Sequence, residues 1–505
     1  MIRLKFFKIC LLTVIPALIL IVSASLKRYE GPYWLGSNSD PEYVYLLNSL
    51  NLSQFRQVQY VDHPGTTLEV LGAGVIKVFH KLRSKDTIIN DVLHNPEIYL
   101  NAINQLIIFS LVGSLFLIGV LTLFLTEDIF FALIMQATPF LSFTLMDTLY
   151  HVAPEPLMLV ATAWFSFIML YIFYRGEKYS KFSIFLIAMI SGFLIATKIN
   201  SAPLVLVPLV ILRWKEKIAY FFATLAALIF FTLPIYNRYS WFLDWTYSLF
   251  IHSGFYGTGD VNIVNFPLFL QSLRTILITE QFLIVITLVL AIVFIWTVIR
   301  KHKFTENRFL VALLLFFLAD IIIVAKHFEN HYLVPGLAML GFSSVLILSL
   351  IKNNKIRTVA SILVIVFAGS NFVQELKSTD GVSSYYAESI KLNEFVAKNY
   401  PDAIKVTYYR SSSIEYALNF GNELAFHRYD KQLTQMYQNS YFYEIWNGKF
   451  YDWGNVINLP SKGNIILQGT PFEGDNLKYK PNLVIQNIYN GDQETVYLIN
   501  RTISP

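Results

Sequence analysis

Apolar residues in this chain collect in long, nearly continuous runs rather than at the alternating or three-to-four-residue spacing of a half-buried strand or an amphipathic helix. A helix crossing the hydrocarbon core needs about 20 mostly apolar residues. Eleven stretches are expected to be such helices: 7–26, 106–125, 129–146, 157–174, 182–197, 202–212, 218–236, 282–299, 309–325, 332–351 and 359–373. The sixth is short and carries Pro203 and Pro208. The first, with its basic start, reads as an uncleaved anchor rather than a signal peptide.

Basic residues between the runs fall unevenly, and cytoplasmic loops are the ones that carry excess Lys and Arg. With Arg3, Lys5 and Lys8 inside, the inner loops hold Arg175/Lys178/Lys181, Arg213/Lys215/Lys217, Arg300/Lys301/Lys303/Arg308 and Lys352/Lys355/Arg357. The short outer loops hold Lys198 and Lys326. An odd number of spans, with the N-terminus in and the C-terminus out, preserves that asymmetry.

Three longer pieces then lie outside: 27–104, 237–281 and a tail from about 375 to 505. In the first, 68–79 is too short and too charged to span and reads as an interfacial helix. The tail reads as a small α/β domain. A helix over 387–400 is expected to put Ile390, Leu392, Phe395 and Val396 on one face. Strands are expected at 403–409 and 464–468, with a hairpin of 483–488 and 494–499. The expected division is a membrane module over 1–374, including outer loops 27–104 and 237–281, and an extracytoplasmic domain over 375–505.

Composition sharpens this picture. In 505 residues, 55% are hydrophobic and only 14% charged, against about 25% charged in soluble domains, and mean hydropathy is +0.50. A soluble enzyme, a disordered chain and a nucleic-acid binder are all disfavoured. Net charge is +5, too small to imply a polyanion partner. Cys10 is the single cysteine, so neither an internal disulfide nor a thiolate metal cluster can form.

Polar residues costly to place beside a bilayer gather at the outer ends of the runs. Asp40-Pro41-Glu42 follows the first span; a carboxylate there either caps the next helix or serves as a general base, and one carboxylate can do both. Asp62 and His63, before Pro64-Gly65, read equally as a surface turn or as contacts to an acceptor or headgroup. Between the third and fourth runs come Asp147, His151 and Glu155, where Pro154 and Pro156 are expected to hold Glu155 out of regular helix. These three and Asp40 are chemically able to bind a divalent metal, but their spacing matches no strong ligand signature and the sequence does not require one. Lys198 reads as a snorkelling lysine or as a phosphate contact. Lys326, His327, His331 and Tyr332 form a denser set, in which a cation and two imidazoles suit a phosphate group. Arg274 either joins them or lies on an interfacial helix. Asp320, inside the ninth run, calls for a partner from a neighbouring helix or a proton-relay role.

An acid and phosphate-binding cations at one membrane face suggest group transfer from a lipid phosphate. No nucleotide sugars are supplied outside the cytoplasm, so an activated sugar must arrive there on a membrane carrier.

At these residues the sequence resembles the GT-C superfamily of polytopic glycosyltransferases. The likeness is greatest to the RgtA/B/C/D-like bacterial branch related to protein O-mannosyltransferases and the aminoarabinose transferase. Its carriers are Asp40-Pro41-Glu42, the Asp147…Glu155 loop, Thr197-Lys198-Ile199-Asn200, Lys326-His327…His331-Tyr332 through Pro335, and Tyr409 to Leu418 in the tail. The resemblance implies a polytopic helical membrane protein of about eleven spans with a soluble α/β tail, sited in the plasma (inner) membrane. It implies transfer of a sugar from a polyprenyl-phosphate donor to a hydroxyl of a glycan, lipid or protein acceptor. Asp40 matches the family's base, and Pro41 following it leaves Glu42 as the other candidate. Asp147 and Glu155 match the second acidic region, and Lys198, Lys326 and His331 match positions near the donor phosphate. The rivals are a flippase or transporter of lipid-linked sugars, which should show repeated halves, and an O-antigen ligase or polymerase, which should carry its large outer loop late in the chain.

Overall fold

The structure, a computed structural model, describes residues 2–62, 64–176, 180–253, 259–300, 304–445, 448–458, 463–471 and 483–501. His63, Lys178, Lys301 and Lys303 lie outside the described residues. The chain forms two compact units. One comprises Met1–Ala24, Val61–Leu68 and Gln105–Ser378; the other comprises Ser25–Tyr60, Glu69–Asn104 and Thr379–Pro505. By contacts, then, most of the first outer segment groups with the tail, whereas the sequence division had kept it with the membrane module.

Among the described residues the protein has eight helices long and apolar enough to cross a membrane: Phe7–Glu30, Pro96–Thr126, Pro154–Arg175, Trp214–Ile251, Gln281–Ile299, Glu306–Lys326, Asn330–Ser349 and Asn354–Ser378. It is a multi-pass helical membrane protein. Two more expected spans, Lys181–Thr197 and Ile199–Ile211, are shorter apolar helices. The third expected span is not one helix. Ile129–Gln136 gives way to a 3-10 turn at Thr138–Leu141 led by Pro139, and after an extended Ser142 a short helix runs over Phe143–Asp147. A proline cannot donate into the preceding helix and its ring clashes with the turn before it, so the run breaks there despite its unbroken hydrophobicity.

The prolines around Glu155 act differently from the expectation. Ala153 is extended, Pro154 opens the Pro154–Arg175 helix, and Glu155 sits in its first turn. First-turn N–H groups have no intrahelical acceptor, so Pro154 and Pro156 cost the helix nothing there. Asp320 is buried in the Glu306–Lys326 helix against Gly336, where a Cβ would stand 2.3 Å from its Oδ2. Its neighbour is thus glycine backbone in the following helix.

In the second unit the tail carries a sheet in the order β4-β3-β2-β1-β5-β7-β6. Its strands are β1 (Ile404–Thr407), β2 (Ser440–Glu444), β3 (Lys449–Asp452), β4 (Asn455–Ile457), β5 (Ile465–Gly469), β6 (Leu483–Asn490) and β7 (Thr495–Arg501). β1 runs parallel to β2 and β5, and the outer pairs are antiparallel, including the expected β6–β7 hairpin. Alternate residues of β5 serve two cores. Ile465 and Leu467 pack with Val406, Tyr443 and Phe450, while Ile466 packs with Leu392 and Val396 of the Ser384–Asn399 helix. Phe395 joins the second cluster, but Ile390 is 40% exposed. It falls outside the i, i+3, i+4 set that Leu392, Phe395 and Val396 define.

The first outer segment contributes the Ser39–Ser53 helix, which packs on the tail helix Ile414–Glu423. Gly421 permits the approach, since a Cβ there would meet the Tyr43 carbonyl oxygen at 2.6 Å. Buried amides lock the register: Asn48 Nδ2 donates to the Leu424 carbonyl at 2.9 Å, and Tyr429 Oη donates to Asn51 Oδ1 at 2.8 Å. These bonds replace water on groups that would otherwise be buried unpaired.

Candidate active site

Lys198 follows the Lys181–Thr197 helix in extended conformation, and its backbone bridges to Pro64. Its side chain does not snorkel. Lys198 is 4% exposed, and its Nζ donates to Oε1 of Glu155, itself 4% exposed. The Tyr332 ring lies 4.6 Å from the same Nζ, and His331 Nε2 is 3.9 Å from the Glu155 carboxylate. Asn200 Nδ2 donates to the Tyr332 carbonyl at 2.8 Å, tying the two loops together. Glu155 and Lys198 therefore form a buried pair, with the partly exposed His331 and Tyr332 beside it.

Lys326 and His327 meet a different partner. Lys326 Nζ donates to the carbonyls of Leu249 and Phe250, both at 2.6 Å, and His327 Nε2 donates to Leu249 at 3.0 Å. These carbonyls end the Trp214–Ile251 helix, where unpaired oxygens and the negative end of the helix dipole attract a cation. An ammonium has three donors, so two committed bonds leave one.

Lys198, Asn200, Lys326, His327 and Tyr332 all line one cavity of about 590 Å³. Its remaining walls are almost wholly apolar, from Pro203 and Trp245 to Phe266 and Ile322. Arg274 is exposed on the Phe266–Thr279 helix and does not line it.

Asp147 is exposed, with His151 close enough to act electrostatically on both Asp147 and His331. Protein packed around the Asp147 carboxyl limits its hydration and pushes it up, and His151 draws it down. Next to it stands Glu280, unmarked in the sequence reading, whose Oε1 accepts from Thr144 Oγ1 at 2.6 Å. Burial raises its carboxyl, and the Asp147 charge adds to that. The one available signal was an acid directly preceding an apolar run. Asp62 accepts from Trp241 Nε1 at 3.3 Å; burial raises it, while Trp241 and Arg238 lower it.

Asp40 and Glu42 belong to the second unit. Backbone at Asp40 is extended, as the following proline requires, and its side chain is exposed. Glu42 is fully buried, within electrostatic reach of Lys27. A further buried carboxylate, Glu97, accepts from Tyr43 Oη and the Tyr33 N–H, both at 3.0 Å. Of the Asp40–Glu42 pair, Asp40 is the one reachable from solvent. As to metal, no group of three His, Cys, Asp or Glu side chains among the described residues is placed to hold an ion. The Glu155 carboxylate is turned to Lys198. This donor set does not fit a bound cation.

No family model matches the sequence, and no curated protein does. Solved structures do match. ArnT from Cupriavidus metallidurans bound to undecaprenyl phosphate aligns with a TM-score of 0.53 at 11% identity, over 96% of this chain and 97% of that one. The same protein in the apo state aligns with a TM-score of 0.52 at 12% identity, over the same shares. At such identity the likeness establishes architecture alone: this chain shares the fold of ArnT.

Proposed function

We propose that this protein is a membrane glycosyltransferase that moves a sugar from a polyprenyl-phosphate donor onto an acceptor hydroxyl at the extracytoplasmic face of the plasma membrane. The observation that carries this reading is the cavity of about 590 Å³, apolar along most of its wall yet holding Lys198, Lys326 and His327. An isoprenoid phosphate has that same division into a long apolar chain and one anionic end. The fold supports the reading, since one ArnT structure was solved with undecaprenyl phosphate bound. The excess of Lys and Arg in alternate loops supports the orientation.

In this reading Lys198 and Lys326 bind the donor phosphate and stabilise the charge that grows on it, a contribution of several kcal/mol in a water-poor site. Glu155 positions Lys198. The remaining N–H of Lys326 points its bond at phosphate while the other two hold the helix end. Asp40 takes the proton from the acceptor hydroxyl. The hydroxyl oxygen forms a bond to the anomeric carbon, the bond from that carbon to the phosphate oxygen breaks, and polyprenyl phosphate leaves with the electron pair. Attack opposite the leaving group inverts the anomeric configuration.

The test incubates purified protein in lipid nanodiscs with radiolabelled polyprenyl-phosphate sugars and membrane extract, then identifies the labelled product. Wild type should release polyprenyl phosphate and label an acceptor. Asp40→Asn should bind donor as wild type does and transfer at least about a hundredfold more slowly, the lower range for loss of a general base. Near-normal transfer by Asp40→Asn would remove Asp40 from this role.

A further inference from the structure

The tail contains a second cavity, of about 300 Å³, in which aromatic rings and carboxylates face one space. Tyr416 and Phe420, one turn apart on the Ile414–Glu423 helix, lie nearly parallel, with ring centroids 6.3 Å apart and planes inclined by 18°. They make one broad apolar shelf. Tyr451 of β3 adds a further ring to the lining, and Glu423, Glu444 and His427 supply its polar edge. His427 leans on Asp430, with Nδ1 and Oδ1 3.5 Å apart. Burial raises the Glu423 carboxyl and the like charge of Glu444 adds to it. An acid-rich edge of this kind is relieved by hydroxyl or ammonium donors and repels an anion.

This combination has a definite chemical match. A pyranose ring has an apolar C–H face, which stacks on an aromatic surface, and a rim of hydroxyl donors, which carboxylates accept. A cavity of about 300 Å³ stands at the small end of ligand sites and suits one or two sugar rings. Its place within the unit bears on the reaction. Burial raises the Tyr416 phenol to about 12, and the charges of Glu423 and Asp40 both contribute to that rise, so Asp40 lies within electrostatic reach of the shelf.

We infer that the Tyr416–Phe420 cavity binds a neutral or amine-bearing sugar residue of the acceptor. The acceptor is then a glycan or glycolipid rather than a bare polypeptide. This inference rests on the glycosyl-transfer reading for its meaning, but the binding it asserts is measurable without turnover.

The experiment uses full-length protein in nanodiscs and saturation-transfer NMR. The probes are methyl glucoside, methyl galactoside and glucosamine, with glucuronic acid as the anionic control. Saturation should pass to at least one neutral or amino sugar and not to glucuronic acid. Phe420→Ala should weaken binding by about tenfold, and Glu444→Gln, which keeps the shape of the edge, by a few-fold. With an identified glycan acceptor, Phe420→Ala should raise its KM and leave kcat and the donor KM unchanged. Absence of transfer to every sugar probe overturns the inference, as does equal binding by Phe420→Ala and Glu444→Gln with their thermal midpoints retained. Sugar binding without any glycosyl transfer would instead sink the catalytic reading and leave this cavity as a glycan-binding site.

Discussion

The buried Glu155–Lys198 pair offers a sharp test of the membrane unit. Each residue is 4% exposed, so removing either leaves its partner charged, dehydrated and without its counter-ion. An ammonium–carboxylate contact of about 2.8 Å at an effective dielectric of about 20 carries roughly 6 kcal/mol of attraction. Part of that offsets desolvation, and breaking one side of a buried pair costs about 3–5 kcal/mol. Glu155→Gln and Lys198→Met should each lower the thermal midpoint of the nanodisc protein by about 10 °C, at about 2–4 °C per kcal/mol for a large domain. The double variant leaves no orphaned charge and should lie well above the sum of the two losses, with a coupling of at least about 2 kcal/mol. Donor binding should separate the three variants from stability, because Lys198→Met and the double variant both lack the phosphate contact. Additive losses in the cycle would refute the pairing. Donor affinity equal to wild type in Lys198→Met would refute its phosphate role.

Other consequences follow from single observations. Lys326→Ala should raise the donor KM about 10- to 100-fold, the range for a hydrogen bond to a charged group, with Lys326→Arg milder; an unchanged KM would confine Lys326 to capping Leu249 and Phe250. Glu69 is fully buried, neither carboxyl oxygen has a hydrogen-bond partner among the described residues, and burial pushes its carboxyl well up. The folded state therefore holds a proton that the unfolded chain releases above about pH 4.3, so stability falls as pH rises from there toward the folded-state value. Glu69→Gln should match wild type at pH 4 and melt higher at pH 8; identical midpoints at both would contradict this. Gly421→Ala should cost about 1–3 kcal/mol by overpacking against Tyr43, seen as earlier loss of tail near-ultraviolet dichroism; an unshifted transition would mean the helices can part at no cost.

The sequence by itself determined the membrane class, most spans and part of the tail (its first helix, β1, β5 and the β6–β7 hairpin, though not β2 to β4 or the Ile414–Glu423 helix), because each depends on local quantities: run length, strand alternation and turn residues. It misjudged the places where one residue overrides a pattern. Pro139 broke an apolar run, whereas Pro154 and Pro156 opened a helix where they were expected to prevent one. Candidate residues were legible as polar groups at run ends, and Lys198 with Glu155 and Lys326 with His327 did prove to be close neighbours of something. What they neighbour was not legible. Lys198 was as consistent with snorkelling as with burial, since only the fold brings residue 155 against residue 198 and excludes water from both. Glu280 gave only the weak signal of an acid before a span, and the Tyr416–Phe420 shelf gave none, being two aromatics on an ordinary amphipathic helix. Hydrophobicity is written residue by residue, but whether a charge is solvated, paired or orphaned depends on what distant segments are packed around it, and that only the tertiary structure decided.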